Sequence, residues 1–294
     1  MNFAELRQAV SGAFRQRDYA QFKALTDEFL AAAQGDEYCR ALCLKADWCL
    51  MVDIEHAAQG FVFIGEALLL ARSPGARLSA LTGALALCYH CSDLERARPY
   101  EEESCRLLLE HGTLPDVRAR RHRLQLNLGQ MAYLRGDYAT AYWHFAQAAE
   151  SLSSPAVPEA ERRGLESPIQ SNIATACLRV RRYYEAQEAL DLAEQRASTE
   201  IQRQRALVWR CELLRQLGQI EEAQQILKQL ALTVPSCVSP DVRSRYYWFA
   251  ALVAQDAGDL SGFHQFLVMA RDEAAEHRLD YLLSEIQRFQ RSPL

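Results

Sequence analysis

The fold is decided by one stretch, Asn127-Leu128-Gly129-Gln130-Met131-Ala132-Tyr133-Leu134-Arg135-Gly136-Asp137-Tyr138-Ala139-Thr140-Ala141. Apolar residues recur in it at helical spacing before and after the Gly-Asp pair. Gly136 suits the left-handed backbone that ends a helix, and the side chain of Asp137 suits the N-cap of the next. Ala141 is small enough to let two helix axes approach. The stretch therefore predicts the turn of a helical hairpin.

The same short pattern recurs along the whole chain. It consists of a polar residue, usually Asp, then Tyr, Ile or Leu, two variable residues, and Ala or Phe. Its copies begin at Asp18, Asp53, Asp93, Asp137, Arg182, Gln219 and Asp259. The intervals between them are 35, 40, 44, 45, 37 and 40 residues. Because self-similarity at such intervals marks a repeat architecture, the sequence predicts about seven helical hairpins in one array.

The composition also favours helix. The 294 residues include 44 Ala and 41 Leu but only 12 Val and 8 Ile, and β-branched residues supply most strand propensity. There are 13 Gly and 9 Pro, which is few for a fold with many tight turns. A β-sandwich, a β-barrel and a doubly wound α/β fold are therefore all disfavoured.

Two copies carry a family resemblance. The stretch 127–141, together with Phe145, Ala148 and Pro155, resembles a tetratricopeptide repeat, and the copy in residues 172–186 is similar. The resemblance covers nearly the full chain, although Lys45 and Leu85 stand where the family has a small residue. It implies an all-α, right-handed superhelical solenoid of about seven helix pairs. Repeats of about 40 residues, longer than the usual 34 or so, resemble those of bacterial sensor and scaffold proteins.

We expect the array to occupy residues 1–278 and a capping helix and tail to occupy residues 279–294. The main interruption, residues 153–167, is rich in Ser, Pro and Gly and predicts a surface loop or linker. A weaker break falls at residues 234–240. The apolar face of the capping helix comprises Leu279, Leu282, Leu283, Ile286 and Phe289. Its polar outer face comprises Glu285, Gln287, Arg288 and Gln290.

Charge and hydropathy restrict the partners. The net charge is −5, so no strong global field draws the chain to nucleic acid or anionic lipid. The densest basic run, residues 118–123, is interpreted as a solvated face or a source of salt bridges, with anion binding as the alternative. No apolar run reaches the roughly 18 residues of a membrane span, and the N-terminus does not resemble a signal peptide. These observations predict a cytoplasmic protein without a membrane partner.

The chemistry of an enzyme is missing from the motifs. There is no phosphate-binding Gly-rich loop, no GxSxG and no HExxH, and the seven histidines lack metal-ligand spacing. We expect a non-enzymatic protein without a cofactor. The nine cysteines are interpreted as reduced packing residues. Cys88 and Cys91 have CxxC spacing, so a zinc or redox site stays open as the weaker alternative.

The resemblance also implies a binding surface. In tetratricopeptide-repeat proteins the first helices of the pairs line a concave groove that binds an extended peptide or a partner helix. An Asn in these helices often hydrogen-bonds the peptide backbone, and Asn127 and Asn172 occupy that place here. The equivalent residue of the sixth copy is Trp209, a residue type common at interaction hot spots. The other candidates lie near these on the same helix faces: Gln130, Tyr133, Thr175, Arg179, Arg205 and Glu212.

Two functions follow as hypotheses. The first is a scaffold or adaptor that captures a peptide or partner helix, with copies four to six at its centre. Asn172 and Arg205 resemble part of the carboxylate clamp of chaperone-binding members, but Trp209 replaces the further basic residue of that clamp. The second is a ligand- or peptide-sensing array of a bacterial regulatory system. No helix-turn-helix candidate lies outside the repeats, so a sensor of this kind needs a partner that supplies its output. Homo-oligomerisation stays open.

Overall fold

The computed structural model describes residues 5–6, 9–10, 12–13, 18–52 and 57–291. From residue 18 onward these residues form fifteen α-helices and one 3-10 helix, Val234–Ser236, and contain no strand. The predicted all-α class is confirmed. The second copy of the repeat pattern, Asp53 to His56, lies outside the described residues.

The helices are α1 (Tyr19–Ala32), α2 (Gly35–Val52), α3 (Ala57–Leu70), α4 (Pro74–His90), α5 (Leu94–His111), α6 (Pro115–Arg118), α7 (Arg121–Leu134), α8 (Tyr138–Leu152), α9 (Glu159–Arg179), α10 (Tyr183–Gln195), α11 (Glu200–Gln216), α12 (Ile220–Leu230), α13 (Pro240–Asp256), α14 (Leu260–Glu276) and α15 (Asp280–Arg291).

The chain divides into two compact units, Met1–Met131 and Ala132–Leu294, with the boundary inside α7. In unit 1, α2 packs against α1 and α3, and α4 packs against α2, α3 and α5. In unit 2 the pairs α9–α10, α11–α12 and α13–α14 pack as hairpins, and the first helices α9, α11 and α13 also contact one another in turn. Contact between each helix pair and the next is the organisation of a repeat array. The division at residue 278 stays a prediction.

A left-handed residue ends the first helix of five described hairpins. Gly136, Gly218 and Gly258 have φ angles of 80°, 77° and 78°, as the sequence predicts. Ser92 and Arg181 adopt the same conformation without being glycine, at 52° and 60°. In each turn the N–H of the following residue donates to the carbonyl five residues earlier, at 2.8–3.0 Å. This bond satisfies a carbonyl that the ending helix leaves without a partner.

The predicted aspartate caps are confirmed. Each cap side chain accepts a hydrogen bond from the backbone N–H three residues later, at 2.8–3.1 Å, and the caps are Asp18, Asp93, Asp137 and Asp259. Arg182 and Gln219, which start the other two copies, make no side-chain cap bond. The closing alanines are fully buried where the helices of a pair meet: Ala97, Ala141, Ala186 and Ala223.

The predicted loop at residues 153–167 is wrong in its second half. Helix α9 begins at Glu159 and continues through Pro168, so the break covers only residues 153–158. Ser167 and Ile169 are fully buried. Burial of this segment outweighs the weak helix propensity of Ser and Pro, although Pro168 lacks the N–H for a helical hydrogen bond. The weaker break at residues 234–240 is confirmed, because only the 3-10 helix and a short loop precede α13.

The C-terminal helix α15 buries Leu282 and Ile286 completely, as predicted. The expectation that Glu285 lies on a polar outer face is wrong, because its side chain is only 21% exposed and pairs with Arg179. The physical reason is that α15 packs against both α13 and α14, so a second side of the helix also faces the protein.

Candidate functional site on the first helices of unit 2

The first helices of unit 2 each carry polar and aromatic residues on one side, at spacings of three, four and seven. Such residues lie next to one another on a helix. We call this surface the first-helix face and define it by Tyr133 on α7, Asn172, Thr175 and Arg179 on α9, Arg205, Trp209 and Glu212 on α11, Asp241 and Arg245 on α13, and Tyr281 and Glu285 on α15.

Arg179 ties three helices of this face together. Its Nε donates to the hydroxyl of Tyr133 at 2.9 Å, and its Nη2 donates to the Glu285 carboxylate. The Arg179 and Glu285 side chains are 24% and 21% exposed. The ring of Tyr133 packs edge-on against Tyr138, with 5.1 Å between the ring centroids. The end of α7, the end of α9 and the middle of α15 therefore meet at one guanidinium.

The charges at this junction reinforce one another. Burial alone would raise the pKa of the Glu285 carboxyl, but the charges of Arg179 and Arg245 outweigh burial and hold that pKa below its usual value. Burial would likewise lower the pKa of Arg179, but the interactions with Tyr133 and Glu285 raise it. Both groups are therefore charged at neutral pH.

A second junction surrounds Asp241. The Nε of Arg245 donates to Asp241 Oδ1 at 3.1 Å, and the hydroxyl of Tyr281 donates to the same oxygen. Arg205 Nη2 lies 3.6 Å from Asp241 Oδ2. Burial would raise the pKa of Asp241, but Arg245 and Arg205 hold it below its usual value. One carboxylate thus serves two guanidinium groups and a phenol.

Trp209 lies beneath this second junction and is only 4% exposed. The guanidinium of Arg245 lies 4.7 Å from the centroid of the Trp209 ring, and Phe249 packs edge-on against the same ring at 5.1 Å. A guanidinium over an indole face is an attractive cation–π arrangement. Trp209 therefore positions the Arg245 guanidinium by packing against it, and it offers little exposed surface to a ligand.

The face holds more donors than acceptors. Arg179, Arg205 and Arg245 pair with only two carboxylates, those of Asp241 and Glu285, because Glu212, the third carboxylate of the face, pairs with Arg215. Arg205 Nε and Arg245 Nη1 are both buried and have no hydrogen-bond partner among the described residues, and Arg245 as a whole is only 5% exposed. Buried donors without partners are rare and costly in folded proteins. Because both atoms are buried, an oxygen acceptor would satisfy them only after the side chains that cover them move.

The remaining predicted residues of unit 2 divide by their hydrogen bonds. Thr175 is buried and donates to the Ser171 carbonyl at 2.8 Å. Glu212 is buried and accepts from Arg215 at 2.8 Å. Asn172 is half-buried, and its amide makes no hydrogen bond within the described residues. Of these three, Asn172 alone offers an unused amide.

Two predicted residues belong to unit 1. Asn127 is buried, and its Nδ2 donates to the Thr82 carbonyl at 2.7 Å, so the amide joins α7 to α4. Gln130 is half-buried and makes no side-chain hydrogen bond within the described part of the chain. Asn127 and Asn172 therefore differ in their hydrogen bonding, although they occupy the same position in the repeat pattern.

Sequence reasoning missed Asp241, Arg245, Tyr281 and Glu285. A signal existed for the first two, because they precede the seventh copy as Arg205 precedes the sixth, on the same kind of helix. The repeat pattern has no copy in residues 264–294, so it provides no register by which Tyr281 and Glu285 could be assigned to the face.

The alternative site at Cys88 and Cys91 has little support in the geometry. Cys88 is fully buried, and burial raises the pKa of its thiol to about 12. A thiol of that kind is a poor nucleophile and a poor metal ligand. Within the described residues, no group of three or more His, Cys, Asp or Glu side chains is placed to hold a metal ion. None of the described helices is both long and apolar enough to cross a lipid bilayer.

Comparison by sequence finds no matching protein-family model and no matching curated protein. Comparison by structure does find similar folds. The crystal structure of NprR in complex with its cognate peptide NprX has a TM-score of 0.67 and 16% identity, covering 98% of this chain and 83% of that chain. A Rap protein complexed with Competence and Sporulation Factor has a TM-score of 0.61 and 13% identity, covering 97% and 83%.

A tetratricopeptide repeat protein from Parabacteroides merdae is also similar, with a TM-score of 0.54 and 11% identity, covering 97% of this chain and 98% of that chain. The fold of the present chain is therefore of the tetratricopeptide-repeat type, as the resemblance of residues 127–141 implies. At these identities the likeness concerns the fold.

Proposed function

We propose that this chain is a non-enzymatic adaptor that captures a peptide or a partner helix on the first-helix face of unit 2. The observation that carries this proposal is a set of polar groups there that have no hydrogen-bond partner among the described residues: the amide of Asn172 and the buried N–H groups of Arg205 and Arg245. An amide that both donates and accepts suits a peptide backbone, and guanidinium groups suit carbonyl and carboxylate oxygens.

The buried residues of the face have a supporting role in this proposal. Trp209 positions Arg245 through the contact of its ring with the guanidinium. Thr175 and Glu212 make hydrogen bonds within their own helices, to Ser171 and Arg215. Tyr133 and Arg179 contribute through their shared hydrogen bond. In unit 1, Gln130 is the predicted residue whose amide has no partner in the described part of the chain, and Asn127 acts on stability through its hydrogen bond to Thr82.

A second candidate is a sensor whose output comes from a separate protein. It is favoured by the similarity of fold to NprR bound to NprX and to the Rap protein bound to Competence and Sporulation Factor. The two candidates share the same binding face. They differ in whether binding changes the shape of the chain.

The test is a peptide array probed with the full chain and with two variants. The double variant Asn172→Ala, Arg205→Ala removes the free amide and one guanidinium from the face. The control Arg203→Ala removes an exposed arginine from the same helix, α11. We expect hits that the double variant weakens by about tenfold or more and that the control leaves unchanged. Hits that are equally strong with all three proteins would contradict the proposal.

Solution scattering on the chain with a peptide from the array then separates the two candidates. An adaptor that binds without rearrangement keeps its radius of gyration. A sensor compacts or expands on binding, because its output must depend on a second state.

A further inference from the structure

The C-terminal helix α15 makes two separate kinds of contact in unit 2. Its apolar side, with Leu282 and Ile286 fully buried, packs against α13 and α14. Its polar side brings Tyr281 to Asp241 and Glu285 to Arg179. Only the apolar contact is needed to cover the apolar surface that the preceding helix pair presents. The contact of Glu285 reaches α9, which lies three helix pairs before α15 in the chain, so it requires another explanation.

Glu285 makes the contact that a bound acidic ligand would make. Its carboxylate accepts a charge-assisted hydrogen bond from Arg179, on the face where three arginines share the carboxylates of Asp241 and Glu285 and two buried N–H groups lack an acceptor among the described residues. Tyr281 adds a hydroxyl donor and a ring whose centroid lies 5.2 Å from the Arg245 guanidinium. The helix therefore offers one acidic side chain, one phenol and an apolar stripe to the first-helix face.

We propose that α15 is an intramolecular occupant of the first-helix face, and that the external ligand is a peptide whose acidic side chain replaces Glu285 at Arg179. This inference rests on the function proposed above. A tethered segment acts at a high effective concentration, so the ligand must compete with it. The measured affinity is then reduced by the fraction of molecules in which the face is open. Weakening the hold of α15 should increase that fraction.

The probe is a fluorescein-labelled synthetic peptide with the sequence of residues 279–291, and the readout is fluorescence anisotropy with the full chain. Wild type is compared with Glu285→Gln, and Glu276→Gln is the control that removes an exposed carboxylate from the neighbouring helix α14. We expect Glu285→Gln to bind the peptide about tenfold more tightly than wild type and Glu276→Gln to match wild type. A peptide with Gln at the place of Glu285 should bind the Glu285→Gln chain about tenfold less tightly.

Hydrogen exchange gives a second measurement that needs no added peptide. Amides of residues 280–291 should exchange faster in Glu285→Gln and in Arg179→Met than in wild type. Arg163→Met is the control, because Arg163 is exposed on the same helix as Arg179 and, among the described residues, pairs with Glu159. Far-ultraviolet circular dichroism is the check that all variants keep the helix content of wild type. Equal peptide affinity and equal exchange in wild type and Glu285→Gln would overturn the inference and leave α15 as a cap.

Failure of this inference is distinguishable from failure of the proposed function. If array peptides bind through Asn172 and Arg205 while Glu285→Gln changes neither their affinity nor the exchange of α15, the adaptor function stands and the competition does not. The opposite result is that the labelled peptide binds Glu285→Gln through Arg179 while no array peptide is weakened by the double variant. In that case α15 occupies the face, and the proposal of an external peptide ligand is wrong.

Discussion

Arg179 and Glu285 are 106 residues apart in the sequence and form an ion pair within unit 2. Arg179 is the last residue of α9, where the partial negative charge of the helix end favours a cation. Its guanidinium also donates to Tyr133, so one side chain joins the ends of α7 and α9 to the middle of α15. The ion pair therefore bears on both the stability of unit 2 and the occupancy of its polar face. Its contribution to stability can be measured through the dependence of the free energy of unfolding on pH.

Glu285 should stabilise the fold only where its carboxyl is charged. Its pKa in the folded protein is lowered, so the stabilisation is present above the unfolded value of about 4.3 and is lost as pH falls through the folded pKa. We expect Glu285→Gln to reduce the free energy of unfolding by about 2 kcal/mol at pH 7. That difference should be unchanged at pH 6 and should shrink steadily below about pH 4.3.

Urea unfolding of wild type and Glu285→Gln between pH 7 and pH 3 measures this difference. The comparison with Glu276→Gln controls for the loss of one negative charge. A gap between wild type and Glu285→Gln that is as large at pH 3 as at pH 7 would show that the effect comes from packing.

The left-handed turns give a prediction that is independent of the binding face. Arg181 has φ of 60°, a conformation that costs a non-glycine residue about 1–2 kcal/mol. Arg181→Gly removes that cost but adds chain entropy to the unfolded state, so we expect a net gain of roughly 0.5–1 kcal/mol. Gly218→Ala is the reverse change at φ of 77°, and its added methyl group meets no atom within 4 Å. It should lose about 1 kcal/mol, and thermal unfolding of both variants decides whether the signs are opposite.

The two asparagines in the repeat pattern should respond differently to removal. Asn127→Ala deletes the hydrogen bond to Thr82 and leaves a half-buried carbonyl without that donor, which should cost about 1–2 kcal/mol. Asn172→Ala deletes an amide without a partner in the described chain, and its effect should be within about 0.5 kcal/mol. Chemical unfolding measures both, and each variant serves as the control for the other. Equal losses would mean that Asn172 is also structural.

The difference between these asparagines shows which features of the structure can be predicted from the sequence. Local chemistry predicted the turns at Gly136, Gly218 and Gly258 and the caps at Asp93 and Asp259, because cap and turn preferences depend on a few adjacent residues. The family resemblance gave the fold type and the helices on which the candidate residues lie. It treated Asn127 and Asn172 alike, since the repeat pattern specifies a register and contains no information about the neighbour across the packing surface.

The candidate face was predictable only in part, for a physical reason. Arg179, Arg205 and Trp209 were found because they fall near a copy of the repeat pattern. Glu285 was predicted to be solvent-exposed, since a helix with one apolar stripe is expected to have one buried side. The second buried side of α15 arises because the helix packs against both α13 and α14, and it brings Glu285 to Arg179, 106 residues earlier in the chain. Such long-range pairing leaves no periodic signal in the sequence.

The cysteines provide a last prediction, which decides between packing and chemistry at Cys88 and Cys91. Burial raises the pKa of the Cys88 thiol to about 12, and Cys91 is only half-buried. Because the thiolate is the reactive form, Cys88 should resist alkylation at pH 8 in the native protein. Cys105 is the exposed one of the nine cysteines and should react first with iodoacetamide, as peptide mass spectrometry would show. Cys105→Ser should abolish that first reaction and leave Cys88 unlabelled until urea unfolds the chain. Labelling of Cys88 as fast as that of Cys105, or one equivalent of zinc bound to the purified chain, would replace the packing interpretation with a redox or metal site.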